Sequence, residues 1–120
     1  MNRQFHRRNA GVNKLDKICR AFDLSDIELA RLFRLSPRTI KVWQRQGASP
    51  RRIADVDRIA ELADYLAREF VADRLPQIVR TPGNDRNDAL GGRAILDVIR
   101  REGVTPIYRH LERLFAYGGV

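Results

Sequence analysis

Residues 37–46 combine two apolar side chains with a row of cationic ones at helical spacing. On a helix, Ile40 and Trp43 share one face, because residues three apart are neighbours. The opposite face suits duplex DNA: a guanidinium can donate two hydrogen bonds to guanine, a valine can contact a thymine methyl group, and hydroxyls at the helix start can bind phosphate. The residues predicted to contact DNA are Ser36, Pro37, Arg38, Thr39, Lys41, Val42 and Arg45. Gln44 lies at the margin of this face. The alternative is that the cations only form a solvated surface.

Two helix-start signals position this segment. Ser25 and Glu28 have the spacing of a capping box, in which each side chain bonds a backbone N–H at the helix start. Ser36 followed by Pro37 repeats the signal, and Gly47 can end the second helix. The connection is only about three residues long, so the helices must cross steeply, as in a helix-turn-helix whose second helix enters the major groove. The predicted packing residues are Ile27, Leu29, Ala30, Phe33, Leu35, Ile40 and Trp43.

One residue departs from this motif. Helix-turn-helix motifs often carry glycine at the turn position where Arg34 stands. Glycine adopts a left-handed backbone without a steric cost, whereas other residues do not. We therefore expect Arg34 to have a mildly strained conformation.

Charge and composition narrow the possible function classes. The 120 residues have a net charge of +8; residues 1–58 contain fourteen Lys and Arg against six Asp and Glu, and residues 59–120 contain nine of each. The positive excess therefore lies in the half with the predicted helix-turn-helix, as expected for phosphate binding. No apolar run approaches the roughly 18 residues of a membrane span, and the N-terminus lacks the apolar stretch of a secretory signal. We expect a cytoplasmic protein with no membrane contact.

The sequence offers little for catalysis or metal binding. Neither His6 nor His110 belongs to a recognisable catalytic constellation, and no phosphate loop with its lysine is present. Cys19 is the single cysteine, which excludes an internal disulfide and a multi-cysteine metal site. Its place in an apolar pattern favours core packing. We predict no enzyme activity, no catalytic residue, no metal and no cofactor.

The complete pattern predicts an all-α fold: an N-terminal helix-turn-helix domain joined by a long helix to a small C-terminal helical module. Residues 1–12 indicate a flexible basic arm, which either contacts the minor groove or is a solubilising tail. The helix-turn-helix domain covers 13–73 and the C-terminal module 74–120. The long helix is predicted over 51–72, with an apolar stripe of Ile53, Val56, Ile59, Ala60, Ala63, Leu66, Ala67 and Phe70. Further helices are predicted at 13–22, at 94–101 and after Thr105, which caps a helix whose first residue is Pro106. A short helical or extended segment is predicted at 75–79 and a loop at 81–88. Gly91 and Gly92 form a tight turn, and residues 117–120 a flexible end.

Two separated motifs resemble one protein family. The DNA-binding motif of the Xre/MbcA/ParS antitoxins is similar to LSPRTI at 35–40 followed by Trp43. Residues 80–82, 87–93, Leu96 and 111–118 resemble the C-terminal toxin-binding domain of these antitoxins. Together the two motifs extend the resemblance over residues 15–120.

The resemblance implies a specific function. Antitoxins of this family dimerise, repress their own operon and block a RES-domain toxin, an enzyme that consumes NAD or uses it for ADP-ribosylation. Carried onto this chain, the toxin-binding residues would be Leu90, Gly91, Gly92 and Arg93, then Tyr117, Gly118, Gly119 and Val120. A terminal carboxylate in the toxin's nucleotide pocket could take the place of a phosphate. Alternatively, the last glycines only end a helix.

The expected function is therefore that of a type II antitoxin, with duplex DNA, a cognate RES-domain toxin and a second copy of the chain as partners. One alternative is a stand-alone dimeric transcription regulator with no toxin partner. An RNA-binding or adaptor protein is a weaker alternative, because exposed aromatic residues that stack on unpaired bases are scarce. Dimerisation could use the Leu62, Leu66 and Phe70 end of the long helix or the C-terminal module.

Overall fold

A computed structural model of the chain describes the backbone of residues 3–83 and 90–118 and the side chains of residues 13–83 and 90–113. Within these residues the fold is all-helical, as predicted, with seven α-helices, one 3-10 helix and no strand. The elements are α1 (Arg3–Phe22), α2 (Asp26–Phe33), α3 (Pro37–Gln46), the 3-10 helix η1 (Pro50–Arg52), α4 (Ile53–Glu69), α5 (Leu75–Arg80), α6 (Ile95–Glu102) and α7 (Thr105–Gly118). The chain divides into two compact units, Met1–Pro76 and Gln77–Val120, and the boundary falls within α5.

In the first unit, α1 packs against α4 and α3, and α2 packs against α3. The buried side chains of α1 and α4 are Leu15, Ile18, Phe22, Val56, Ile59, Ala60, Leu62, Ala63 and Leu66. Burying one large apolar side chain contributes about 1.5–3 kcal/mol. Two ion pairs also join α1 and α4, Lys14–Asp57 at 2.6 Å and Lys17–Asp64 at 3.0 Å. Because the four side chains are 40–48% exposed, each pair contributes at most about 1 kcal/mol, so apolar burial holds the two helices together.

The bounds of α1 and α4 differ from the prediction. α1 begins at Arg3 rather than near Asn13, so the backbone of residues 3–12, predicted as a flexible basic arm outside the first helix, is helical. Apolar periodicity detects a helix by its buried face, and these ten residues have little apolar pattern. The predicted helix over 51–72 starts as the 3-10 helix and ends at Glu69, where Phe70 has an extended backbone (φ −123°, ψ 152°).

Some apolar residues do not lie where their spacing suggests. Ile27 and Ile53, both predicted to pack in the core, are 61% and 48% exposed. Leu66 is completely buried, as its place in the apolar stripe predicts, and so is Leu62, so two of the three side chains of the possible dimer surface on the long helix lie in the core of the single chain. Their side chains are therefore not available to a second copy.

In the second unit, α6 packs against α7. Its buried side chains are Val79, Leu90, Ala94, Ile95, Val98, Ile99, Ile107 and Leu111. The predicted glycine turn before α6 is confirmed, with φ values of 64° at Gly91 and 74° at Gly92. The start of α7 differs by one residue, because Tyr108 N donates to Val104 O at 3.2 Å and Val104, not Thr105, accepts the first intrahelical bond.

None of the helices in the described ranges is long and apolar enough to cross a lipid bilayer. The same ranges contain no group of three or more His, Cys, Asp or Glu side chains arranged to hold a metal ion.

Candidate nucleic-acid interface

The predicted capping box is confirmed at the start of α2. Ser25 Oγ accepts a hydrogen bond from Glu28 N at 3.2 Å, and Glu28 Oε1 accepts one from Ser25 N at 3.0 Å. The two backbone N–H groups would have no partner within the helix itself. The box therefore defines where α2 starts and makes Asp26 its first residue.

The predicted Ser36 cap is confirmed at the start of α3. Ser36 Oγ accepts a hydrogen bond from Thr39 N at 3.1 Å and lies 3.0 Å from Thr39 Oγ1. Pro37 occupies the first turn, where the missing N–H costs nothing. The contact between the Ser36 and Thr39 hydroxyls uses the hydrogen of only one of them. The hydrogen of the other hydroxyl can be donated to an outside acceptor such as a phosphate oxygen.

The connection from α2 to α3 has the left-handed residue that the sequence predicts. Arg34 has φ 60° and ψ 43°. Its N–H donates to Arg31 O at 3.1 Å, and Leu35 N donates to Ala30 O at 2.8 Å. These bonds satisfy carbonyls at the end of α2. The chain therefore changes direction between the two helices in only three residues.

One face of α3 is packed and the other is open. Ile40 is fully buried and Trp43 is 4% exposed. The Trp43 ring meets the Phe33 ring edge to face, with centroids 5.6 Å apart and an interplanar angle of 60°. Burying these residues orients Arg38 and Lys41 outward, where both are exposed.

The open face of α3 and the start of α2 form an open cavity of about 610 Å³. Its lining residues are Asp26, Pro37, Arg38, Lys41, Val42, Gln44 and Arg45. Five of these belong to the predicted DNA-contacting set, and the other two members of that set, Ser36 and Thr39, form the cap of α3. Three cations against one carboxylate make this surface suited to a polyanion.

Gln44, predicted only at the margin, lines this cavity and makes a contact across the two helices. Its Nε2 donates a hydrogen bond to Asp26 Oδ1 at 3.0 Å. The contact joins the last part of α3 to the first residue of α2.

Arg52 is not among the predicted site residues, yet it links three parts of this unit. Its Nη2 donates to Phe33 O at 2.9 Å, and its Nε donates to Asp55 Oδ2 at 2.7 Å. Its guanidinium carbon also lies 5.6 Å from the centre of the Trp43 ring. The spacing of Arg52 and Asp55 is visible in the sequence, but the bond to a carbonyl nineteen residues away is not.

Cys19, predicted to pack in the core, is half-buried. Burial, together with the negative charges of Asp16 and Asp26, raises the pKa of its thiol to about 11. The thiol is therefore protonated at neutral pH and is a poor nucleophile.

The turn predicted to contact a toxin is held together by its own arginine. Arg93 Nε donates to Leu90 O at 2.8 Å, and Arg93 Nη1 pairs with Glu102 at 2.5 Å. The Leu90 side chain is only 5% exposed, which does not favour a contact with a partner in this conformation. Gly91 is exposed at the tip of the turn.

The second predicted toxin-binding segment is described only in part. The backbone of Tyr117 and Gly118, predicted as the start of a flexible end, belongs to α7. Gly119 and Val120 lie outside the described residues, as do the Tyr117 side chain and residues 84–88 of the predicted loop.

Comparison of the chain with protein-family models, with curated proteins and with solved structures found no match.

Proposed function

We propose that this chain is a transcription regulator that binds duplex DNA with α2 and α3 as a helix-turn-helix. We also propose that its second unit binds a RES-domain toxin, which makes the protein a type II antitoxin that represses its own operon. The exposed cationic face of α3, set opposite its buried Ile40 and Trp43, is the observation that carries the DNA-binding part.

The dimensions of α3 fit this role. A ten-residue helix is about 15 Å long, and the major groove of B-DNA is wide enough to admit one helix. The side chains that point away from the core are the ones with DNA-binding chemistry. Arg38 and Arg45 can donate two bonds each to guanine, and Lys41 can bind phosphate.

The charge distribution supports the same orientation. Residues 1–58, which include α2 and α3, hold the entire net charge of +8. Long-range attraction to phosphate would therefore act on the half of the chain that presents the cavity.

A DNA-binding titration tests this part. The protein is titrated with duplexes selected from a randomised library and with single-stranded RNA of matched sequence, using fluorescence anisotropy. Arg38→Ala and Arg45→Ala are each expected to weaken duplex binding by about 1–3 kcal/mol. Arg74, exposed and outside the cavity lining, provides the matched control Arg74→Ala.

The salt dependence separates the two kinds of contact. If an arginine binds a base, its loss relaxes sequence preference; if it binds phosphate, its loss weakens all duplexes and lowers the salt slope by about 1. Equal affinities for the Arg38→Ala, Arg45→Ala and Arg74→Ala variants would contradict this docking. Stronger binding to the RNA would favour the RNA-binding alternative.

The toxin-binding part rests on the motif at 80–82 and 87–93 and on the separate compact unit, Gln77–Val120, that contains it. Tagged full-length protein and a version ending at Ala116 are used to capture partners from native cells, with mass spectrometry as the readout. An NAD-directed enzyme held only by the full-length protein would support a contact through the tail. The same enzyme held by both would move the contact into the helical unit.

A matched pair of glycine variants tests the turn itself. Gly91 and Gly103 have similar positive φ values, 64° and 84°, and an added Cβ meets no atom closer than 3.7 Å at either position. Both Gly91→Ala and Gly103→Ala should strain the backbone, and Gly103→Ala is the severe control, because its φ of 84° and ψ of −164° lie in a region that essentially only glycine adopts. Only Gly91→Ala is expected to weaken toxin binding. Capture of no such enzyme by any form would favour the alternative, a stand-alone dimeric regulator.

A further inference from the structure

We infer that Gln44 binds an adenine in the major groove and that Asp26 is the positioning residue that holds the Gln44 amide in the required orientation. The inference rests on the proposed DNA-binding function. Beyond DNA binding, it names the base that Gln44 selects and the residue, Asp26, that controls this selection.

The geometry places the two side chains together on the surface that would face DNA. Gln44 Nε2 donates to Asp26 Oδ1 at 3.0 Å, and both residues line the cavity of about 610 Å³ beside Arg38, Lys41 and Arg45. An ionised carboxylate only accepts hydrogen bonds. The amide nitrogen of Gln44, and not its oxygen, must therefore face Asp26.

This orientation leaves a defined hydrogen-bonding edge. The Gln44 amide has two N–H groups and one oxygen, and Asp26 uses one N–H. In the proposed orientation Asp26 takes the N–H trans to Oε1, which leaves the cis N–H and Oε1 as an adjacent donor and acceptor. In the major groove, adenine presents the complementary pair, the N7 acceptor and the N6 donor, whereas guanine presents two acceptors, N7 and O6. The pair therefore matches adenine and excludes a two-bond contact with guanine.

The Asp26 carboxylate also affects the affinity for DNA, and in the unfavourable direction. Asp26 is the one negative charge among the lining residues of a cavity with three cations, so it weakens attraction to phosphate. Replacing it with asparagine would remove that repulsion. The same change would let the Gln44 amide turn over, because an asparagine side chain can donate as well as accept. In Asp26→Asn the preference for adenine should therefore fall, while the affinity for unselected DNA stays equal or rises.

The test uses the full-length protein and a randomised duplex library, with sequencing of bound DNA. Wild-type protein is expected to enrich adenine at one position of each half-site. Gln44→Ala should reduce that enrichment by about 5- to 150-fold, the range expected for one two-bond base contact. Gln46 is exposed on the same helix and outside the cavity lining, so Gln46→Ala is the matched control and should leave the enrichment unchanged.

Asp26→Asn should reduce the enrichment at the same position while affinity for unselected DNA stays equal or rises. The double variant Asp26→Asn/Gln44→Ala should lose no more preference than Gln44→Ala, because Asp26 acts through Gln44. Retained binding of unselected duplexes by each variant shows that the fold is intact.

The outcomes separate the inference from the function on which it rests. Sequence-selective wild-type binding with equal base preference in the Gln44→Ala and Gln46→Ala variants would overturn the inference and leave the proposed function standing. Unchanged preference in Asp26→Asn would overturn the positioning role of Asp26. Failure of the wild-type protein to enrich any duplex would overturn the proposed function and the inference together.

Discussion

At the scale of single residues, the guanidinium of Arg52 stabilises the surface without lying in the cavity. It bonds the Phe33 carbonyl at the end of α2 and the Asp55 carboxylate in α4, and it lies against Trp43 in α3. Arginine suits this place because its planar group offers several donors at fixed angles, which lysine does not. The orientation of α3 therefore depends on a residue that is not itself predicted to contact DNA.

We expect Arg52→Ala to lower the free energy of unfolding by about 1–2 kcal/mol, the cost of leaving a partly buried carbonyl without its donor, reduced by partial exposure. Arg52→Lys should recover little of this loss. Chemical denaturation followed by Trp43 fluorescence measures the change. The neighbouring Arg51 is exposed, so Arg51→Ala is the control and should change stability by at most about 0.5 kcal/mol. Equal effects of the two alanine variants would contradict the role of Arg52.

At the scale of elements, the turn between α2 and α3 combines local capping with a strained residue. Ser36 caps α3, and the Leu35 N–H closes the end of α2 on Ala30 O. Arg34, with φ 60°, has a conformation that glycine adopts more readily than arginine. The turn keeps this geometry because bonds on both sides of Arg34 define it.

Comparing Arg34→Gly with Arg34→Ala isolates the free-energy cost of the left-handed backbone at this position, since both changes remove the same side-chain interactions. The glycine variant is expected to be more stable than the alanine variant by about 0.5–1 kcal/mol, the reverse of the order inside a helix. Thermal and chemical denaturation provide the measurement. A more stable alanine variant would show that the left-handed conformation at this position is not maintained in solution.

At the scale of the whole molecule, the burial of Leu62 and Leu66 limits how two copies can associate. Both side chains are completely buried within one chain, whereas Phe70, the third residue of the predicted surface, is half-buried. A dimer that used the two leucines would have to open the first unit. The C-terminal module, the other predicted dimer surface, remains a prediction.

We expect Leu66→Ala to destabilise the chain by about 2–5 kcal/mol through loss of core packing. The loss should not depend on protein concentration, because the buried contacts are made within one chain. Denaturation at two concentrations that differ a hundredfold checks this. Val71 is 65% exposed, so Val71→Ala serves as the control with little expected effect. A loss that shrinks at high concentration would place Leu66 in a dimer interface.

The sequence by itself determined the features of this protein that depend on neighbouring residues. The capping box at Ser25, the cap at Ser36, the left-handed Arg34 and the glycine turn before α6 all follow from partners within a few positions. Apolar spacing likewise predicted which face of α3 is buried, and hence which cations are exposed. It could not detect the start of α1 at Arg3, because residues 3–12 have little apolar pattern to indicate a helix.

Only the tertiary structure decided the features that join distant parts of the chain. It exposed Ile27 and Ile53, buried Leu62, joined Gln44 to Asp26 and brought Arg52 to the Phe33 carbonyl. The physical reason is that a helical period states which residues share a face, but not which neighbouring helix covers that face or how far the cover extends. Long polar side chains add to this uncertainty, because their partners lie eighteen or nineteen residues away and depend on how the helices cross.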